Sequence, residues 1–170
     1  MNILLLSGSS RIESSNVKLL NHIKTLIPSS NFTLADYLGR VPLFTDTKMG
    51  SDSYVRRLQY DLSKADAVII STPEYLHNIP ALLKNTFEWF AASGEWHEKK
   101  VLAIVYTPTP PRGEKAMQSL KFSLQALNCK VLATLNLYHT DISFDDDNND
   151  PKSNDCELLV EALSLLSNEN

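Results

Sequence analysis

Apolar runs that do not alternate with polar residues constrain the fold of this chain more than any other feature. Ile3 to Leu6 and Val68 to Ile70 are uninterrupted apolar segments. A strand that is covered on only one face alternates between apolar and polar side chains. Uninterrupted runs are instead typical of strands buried on both faces, so they predict a sheet with helices packed on each side.

Five short strands and five helical segments alternate along the chain. Helical spacing of apolar residues follows most of the strands, in segments that start at Val17, Tyr54, Leu82, Met117 and Leu158. This alternation predicts an α/β fold with a doubly wound, mainly parallel sheet. No internal repeat or change of composition marks a boundary, so we expect residues 1–170 to form a single domain. The predicted strands are Asn2 to Leu6, Phe32 to Ala35, Ala67 to Ser71, Val101 to Tyr106 and Val131 to Leu137.

The charge and the cysteine content argue against several classes of protein. A formal net charge of −4 provides no basic field for nucleic acid or for an anionic membrane surface. No apolar stretch approaches the roughly 20 residues that span a bilayer, and the N-terminus lacks a basic signal region. The two cysteines, Cys129 and Cys156, form no CxxC motif. We therefore expect a cytoplasmic protein without nucleic-acid or membrane partners.

One acidic segment, Asp145 to Asp150, precedes Pro151. Its like charges and turn-forming residues predict a solvated loop between the last strand and a terminal helix. The alternative is a divalent-cation site, but the segment lacks the spaced ligands and the glycine of a calcium loop. We therefore predict no metal site.

The segment from Gly8 to Asn16 joins the first strand to an amphipathic helix, where a parallel sheet places free amide groups and the positive end of a helix dipole. Gly8 permits a sharp turn, and Arg11 adds a fixed positive charge. One serine could simply cap the helix, but capping does not explain the arginine. The loop lacks both the Walker motif and GxGxxG. The glycine turn, the arginine and the helix N-terminus together predict a phosphate site. Further donors to the phosphate are Ser9, Ser14, Ser15 and Asn16.

The spacing G-S-x-R-x-x-S-x-N after a first strand resembles the NADPH-dependent FMN reductase family, which includes quinone, chromate and azo-dye reductases. The resemblance implies a flavodoxin-like, five-stranded sheet of order 2-1-3-4-5. It also implies FMN as the cofactor and NAD(P)H as the cosubstrate, with this loop around the FMN phosphate. In that sheet order, the loops after the first and third strands flank the crevice where a ligand binds.

The loop after the third strand is similar to a second motif of the same family. In the family this loop lies along the isoalloxazine ring, which implies ring contacts for Pro73, Glu74, Tyr75 and Leu76. Leu76 stands where the family usually has asparagine, so only its backbone contact is expected. The amide of Asn78 is a possible replacement. The matching residues are Pro73, Glu74, Tyr75, Ile79, Pro80, Leu83, Lys84, Asn85, Glu88 and Trp89, and Ala81 replaces the family's usual glycine.

The segment from Thr107 to Gly113 follows the fourth strand and contains three prolines, which have no N–H to donate. The resemblance implies flavin contacts by Thr107, Pro108 or Thr109. A rigid connection between strand and helix is the alternative. Arg112 is a possible contact for an NADPH phosphate.

The implied activity is that of an FMN-dependent NAD(P)H oxidoreductase. Hydride passes from NAD(P)H through FMN to a quinone-like or other small acceptor in a ping-pong cycle. The chemistry belongs to the cofactor, so no catalytic side chain is expected. The alternatives are a flavodoxin-like electron carrier, which Arg11 disfavours, and a flavin-free binding protein, which Leu76 and the prolines favour. The resemblance implies a homodimer or homotetramer. The aromatic residues Phe87, Trp89 and Phe90 are expected either in the core or at the subunit contact.

Overall fold

The computed structural model describes residues 1–45, 52–144 and 157–167. Its centre is one five-stranded sheet in which all neighbouring strands are parallel, in the order β2-β1-β3-β4-β5. This confirms the predicted α/β, flavodoxin-like architecture and its strand order. The strands are β1 (Asn2–Ser7), β2 (Asn31–Leu34), β3 (Ala67–Thr72), β4 (Lys100–Thr107) and β5 (Lys130–Tyr138).

Helices cover both faces of the sheet, and each face has its own apolar cluster. One cluster packs α1 and α5 against the sheet, and the other packs α2, α3 and α4 against the opposite face. A 3₁₀ turn, Leu38–Arg40, follows β2. The helices are α1 (Ser15–Leu26), α2 (Ser53–Lys64), α3 (Ala81–Trp89), α4 (Glu114–Ala126) and α5 (Glu157–Ser164).

Position in the sheet explains why some strands were easier to predict than others. Almost every residue of β1, β3 and β4 is buried, because each of these strands has a neighbour on both sides and helices on both faces. The edge strand β2 alternates between exposed and half-buried residues, which makes its sequence pattern weak. The β2 pairing extends one step further, because the Ala35 N–H donates to the Leu5 carbonyl at 3.0 Å.

The aromatic residues at the end of α3 lie inside the protein's own core. Phe87, Trp89 and Phe90 are all buried, and the Trp89 Nε1–H donates to the Pro42 carbonyl at 2.7 Å. These rings were expected in the core or at a subunit contact, and the structure places them in the core of one chain. The homodimer or homotetramer therefore remains a prediction without support from α3.

Two sequence predictions concern residues outside the described ranges: the acidic loop at 145–150 and Cys156. Cys129 is half-buried immediately before β5, and burial raises the pKa of its thiol to about 12. It is therefore a thiol rather than a reactive thiolate near neutral pH. Among the helices that the structure describes, none has the length and apolar character needed to cross a membrane.

Candidate functional site

Three loops at the carboxyl edge of the sheet enclose a cavity of about 540 Å³. They are the β1–α1, β3–α3 and β4–α4 loops, and they meet where the strand order reverses. The cavity brings together all eleven residues predicted to bind the cofactor: Ser9, Arg11, Ser14, Ser15, Asn16, Pro73, Glu74, Tyr75, Leu76, Thr107 and Pro108. Four further residues line it: His77, Tyr106, Arg112 and His139.

The β1–α1 loop begins at a very close approach between two strand ends. The Gly8 N–H donates to the Ser71 carbonyl at 2.9 Å. A Cβ at residue 8 would lie 2.1 Å from Oγ1 and 2.6 Å from Cβ of Thr72. Glycine is required at this position because any side chain would collide with β3, rather than because the turn needs a positive φ.

Serine side chains shape the β1–α1 loop from within. Ser14 is the N-cap of α1, and its Oγ accepts from the Val17 N–H at 3.2 Å. The Ser9 Oγ accepts from the Arg11 N–H at 3.3 Å. The capping explanation is therefore correct for Ser14, although its O–H can still donate to a ligand. The exposed Arg11 guanidinium has no hydrogen-bond or ion-pair partner in the part of the chain that the structure describes.

The Asn16 side chain ties the start of α1 to two strands of the sheet. Its Oδ1 accepts from the Ser71 Oγ–H at 2.7 Å, and its Nδ2–H donates to the Tyr106 carbonyl at 3.3 Å. The residue is 4% exposed. Asn16 therefore positions the N-terminus of α1, and one N–H of its side chain is left for a ligand.

Glu74 connects the β3–α3 loop to the start of α4. Its Oε2 accepts from the Gly113 N–H at 3.1 Å and the Ala116 N–H at 3.0 Å. Burial alone would raise the pKa of the Glu74 carboxyl. The hydrogen bonds from Ala116, His77 and Gly113 outweigh burial and hold the pKa below its usual value. The carboxylate thus caps α4, whose own N-cap Gly113 has no side chain, and its other oxygen, Oε1, lies 3.4 Å from Nδ1 of His77.

We expect Glu74→Gln to lower the free energy of unfolding at pH 7 by about 0.5–2 kcal/mol, the range for a lost helix cap or helix-dipole charge. Because folding depresses the pKa of Glu74, its contribution is complete above the ordinary glutamate pKa of about 4.3. It disappears as the pH falls through the lower pKa of the folded state. Urea unfolding of both proteins across this range measures the difference.

The control for this experiment is Glu88→Gln, which removes an exposed carboxylate from α3. It should leave stability within about 0.5 kcal/mol of the parent. A difference between the parent and Glu74→Gln that does not shrink in acid would show that the Glu74 charge does not stabilise α4.

The tip of the β3–α3 loop is a tight turn with two non-glycine residues in a left-handed conformation. Tyr75 and Asn78 exchange backbone hydrogen bonds of 3.0 and 2.9 Å around Leu76, at φ 50°, and His77, at φ 58°. Positive φ at both central residues is the pattern of a type I′ turn, which favours asparagine and glycine. Asparagine at position 76 in the family therefore suits the backbone as well as any hydrogen bond to a ligand.

We expect Leu76→Asn to stabilise the protein by about 0.5–1 kcal/mol, because asparagine tolerates positive φ better than leucine. No packing is lost, since Leu76 is 99% exposed. For a chain of this size the gain corresponds to a rise in Tm of about 1–4 °C, measurable by thermal unfolding. Leu43→Asn is the matched control: Leu43 is exposed and is not among the residues with positive φ. An equal gain from both variants would exclude relief of turn strain.

Asn78 is directed away from the cavity, whereas Tyr75 in the same loop lines it. The Asn78 Oδ1 accepts from the Ile79 N–H at 2.8 Å and from the Ser119 Oγ–H at 2.6 Å. These contacts direct it towards α4, so the structure does not support Asn78 as the replacement amide. Tyr75 is half-exposed and lines the cavity, where its ring is available to an aromatic ligand.

The β4–α4 loop is held in place at its two ends. The Thr107 Oγ1–H donates to the Arg112 carbonyl at 2.9 Å, and the Arg112 N–H donates to the Thr109 carbonyl at 3.1 Å. Gly113 has a φ of 101°, and a Cβ at this position would lie 2.8 Å from Cγ1 of Val105. These bonds fix both ends of the connection between β4 and α4, and the loop also forms a wall of the cavity. The flavin contacts expected in this loop stay a prediction.

Tyr106 and His139 line the cavity but were not among the predicted site residues. Their ring centroids are 4.9 Å apart, and the Tyr106 O–H donates to the Ile142 carbonyl at 2.5 Å. Burial lowers the pKa of the His139 imidazole. His139 directly follows β5 at the same sheet edge as the three loops. The position of a residue just after a predicted strand was therefore the signal that could have found it.

Comparison with known proteins relates this chain to flavin reductases. A 2-hydroxy-1,4-benzoquinone reductase from Burkholderia sp. is 31% identical over 125 residues, which is 70% of this chain and 67% of that protein. An NAD(P)H-dependent FMN reductase from Pseudomonas aeruginosa is 33% identical over 90 residues, 51% of this chain and 48% of that protein.

Among solved structures, an NAD(P)H:acceptor oxidoreductase from Paracoccus denitrificans, FerB, superposes with a TM-score of 0.83. The alignment covers 98% of this chain and 95% of that one at 21% identity, so it supports the fold. The sequence profile of the NADPH-dependent FMN reductases matches residues 1–140. On this match, which spans β1 to β5 and all three cavity loops, the chain belongs to the NADPH-dependent FMN reductase family.

Proposed function

We propose that the chain binds FMN in the cavity and uses NAD(P)H to reduce a quinone-like acceptor through it. The observation that carries this proposal is the arrangement at the start of α1. An unpaired Arg11 and the hydroxyl groups of Ser9 and Ser14 lie at a helix N-terminus, where amides and the helix dipole attract an anion. A phosphate monoester matches this set of donors in charge and size.

The rest of the cavity fits the remainder of FMN. Its volume of about 540 Å³ lies within the range of small-molecule and cofactor sites, roughly 300–1,000 Å³. The ring of Tyr75 and the apolar surface of Pro73 and Pro108 line the part beyond the phosphate loop. Such surfaces suit a planar aromatic ring. We therefore assign the phosphate to residues 9–16 and the ring to residues 73–76 and 107–108.

Bound FMN would supply the hydride chemistry, taking a hydride from NAD(P)H and passing it to the acceptor. The chain's own residues bind and orient. Glu74 stabilises α4, because the Gly113 and Ala116 N–H groups both donate to its Oε2. Its lowered pKa makes the carboxylate a poor proton acceptor near neutral pH. Asn16 holds the phosphate loop against β3 and β4. Hydride donor and acceptor would use the same opening in turn, which is the basis for proposing a ping-pong cycle.

A quinone-like acceptor is proposed because two of the related proteins are named as quinone reductases. The second of these, from Pseudomonas putida, is 27% identical over 71% of this chain and 68% of that protein. We further propose that residues 1–170 act as one domain and that the protein is cytoplasmic and forms a homodimer or homotetramer.

The first experiment is reconstitution of the purified protein with excess FMN, followed by desalting and an absorbance scan. Retained flavin bands that bleach on anaerobic addition of NADPH or NADH would support the proposal. Initial rates with a benzoquinone should then give parallel double-reciprocal lines. Failure to retain FMN would overturn the proposed function, and retained bands that neither nucleotide bleaches would indicate an electron carrier.

A further inference from the structure

Two arginines line the cavity, and one phosphate accounts for only one of them. Neither the Arg11 nor the Arg112 guanidinium has a hydrogen-bond or ion-pair partner among residues 1–45, 52–144 and 157–167. Glu74 is the carboxylate in the cavity lining, and the start of α4 and His77 already engage it. The cavity therefore holds two uncompensated positive charges.

The sheet keeps the two arginines on different walls. Arg11 belongs to the β1–α1 loop and Arg112 to the β4–α4 loop, and β3 lies between these strands. Two strand spacings amount to about 10 Å. A ligand whose phosphate lies at Arg11 and whose ring crosses the β3–α3 loop would therefore extend towards Arg112.

The backbone on both sides of Arg112 is fixed. Its carbonyl accepts from Thr107, and the N–H of the next residue, Gly113, donates to Glu74. The same loop offers few backbone donors, because residues 108, 110 and 111 are prolines. The Arg112 N–H is itself occupied by the Thr109 carbonyl. The guanidinium, with five N–H groups, is therefore the main source of donors and of charge on this wall.

We propose that Arg112 faces the ring end of bound FMN and stabilises the negative charge that the flavin ring gains when it is reduced. This inference rests on the proposed binding of FMN. Reduction adds electron density to the ring, and near neutral pH a reduced flavin readily loses a proton and becomes anionic. Charge close to the ring is one of the means by which a protein sets flavin reactivity. Arg112 should therefore favour the reduced form over the oxidised form.

Arg112→Gln should weaken binding of reduced FMN about tenfold more than binding of oxidised FMN. For a two-electron couple this shifts the midpoint potential of the bound flavin by about 30 mV to more negative values. Arg112→Lys keeps the charge, so the midpoint potential of the bound flavin should stay close to that of the parent protein. Arg56→Gln is the matched control, because it removes an exposed arginine on α2, outside the cavity lining.

The potential of the bound flavin is measured by anaerobic dye-coupled titration, and Kd values for oxidised FMN and riboflavin are measured by fluorescence. Two results together would support the proposal. The potential becomes more negative in Arg112→Gln but not in Arg112→Lys or Arg56→Gln, and Arg112→Gln raises the Kd values for oxidised FMN and riboflavin by similar factors. An unchanged potential would overturn it, whether or not the KM for NADPH rises. A loss of affinity for FMN but not riboflavin would also overturn it, because Arg112 would then hold the phosphate. If the parent protein retains no flavin, the proposed function itself fails.

Discussion

Replacing Arg11 with glutamine is expected to weaken the binding of FMN by about 10- to 100-fold. Arg11 is an unpaired cation at the N-terminus of α1, so no ion pair within the described chain is lost with it. A hydrogen bond to a charged group contributes about 1.5–3 kcal/mol, and each 1.4 kcal/mol corresponds to a factor of ten in Kd. Because Arg11 is exposed, the free energy of unfolding should stay within about 0.5 kcal/mol of the parent.

Comparison with riboflavin isolates the contribution of the phosphate. Riboflavin has the same ring and ribityl chain as FMN but no phosphate, so Arg11→Gln should leave its Kd nearly unchanged. Both Kd values are measured by quenching of flavin fluorescence, and Arg56→Gln again provides a charge-matched control outside the cavity. Equal losses of affinity for FMN and riboflavin would place Arg11 at the ring. No loss of affinity for either ligand would show that Arg11 does not contact the flavin.

The fold could be predicted because burial on both faces leaves a direct mark in the sequence. The runs around Ile3 and Val68 are apolar without alternation, and the structure places them in the central strands β1 and β3. The polar residues Ser7 and Thr107 were left out of the predicted strands, although both are buried at the ends of β1 and β4. Their backbones pair in the sheet, and side-chain pattern cannot report backbone pairing.

The positions of the site residues could be predicted, but their connections could not. Parallel strands place all their carboxyl ends at one edge, so residues that follow strands had to lie near each other. The Asn16 bond to Tyr106 spans 90 residues, and the Glu74 bond to Gly113 spans 39. Such contacts depend on how the loops pack in three dimensions. From the sequence, Asn16 was interpreted as a ligand contact and Glu74 as a backbone contact or an intersubunit pair. The structure shows that both side chains hold the loops together.

Leu76 shows how a departure from a family pattern can have two physical meanings. From the sequence alone, leucine in place of asparagine means a lost hydrogen bond to the flavin. The structure adds that residue 76 has a positive φ, which asparagine tolerates and leucine does not favour. The substitution therefore affects the energy of the turn even before any ligand is considered.

Gly8→Ala is expected to lower the free energy of unfolding by about 1–3 kcal/mol, the usual cost of overpacking a filled interior. The new Cβ would meet both Oγ1 and Cβ of Thr72, so rotating the hydroxyl does not remove the collision. Thr72 is fully buried and cannot move aside freely. The ends of β1 and β3 must instead separate, which strains the bond from Gly8 N–H to the Ser71 carbonyl. Thermal unfolding should show a fall in Tm of about 2–12 °C.

The same displacement should also weaken FMN binding, because the phosphate loop begins at the next residue, Ser9. Gly39→Ala is the matched control, since a Cβ at residue 39 meets no atom within 4 Å. Gly8→Ala combined with Thr72→Gly should lose less stability than the sum of the two single variants, because the second change removes the colliding side chain. Strict additivity would show that the collision is not the cause. Additive changes in stability together with weakened FMN binding would mean that Gly8 contacts the ligand directly. Its role would then not be to let β1 approach β3.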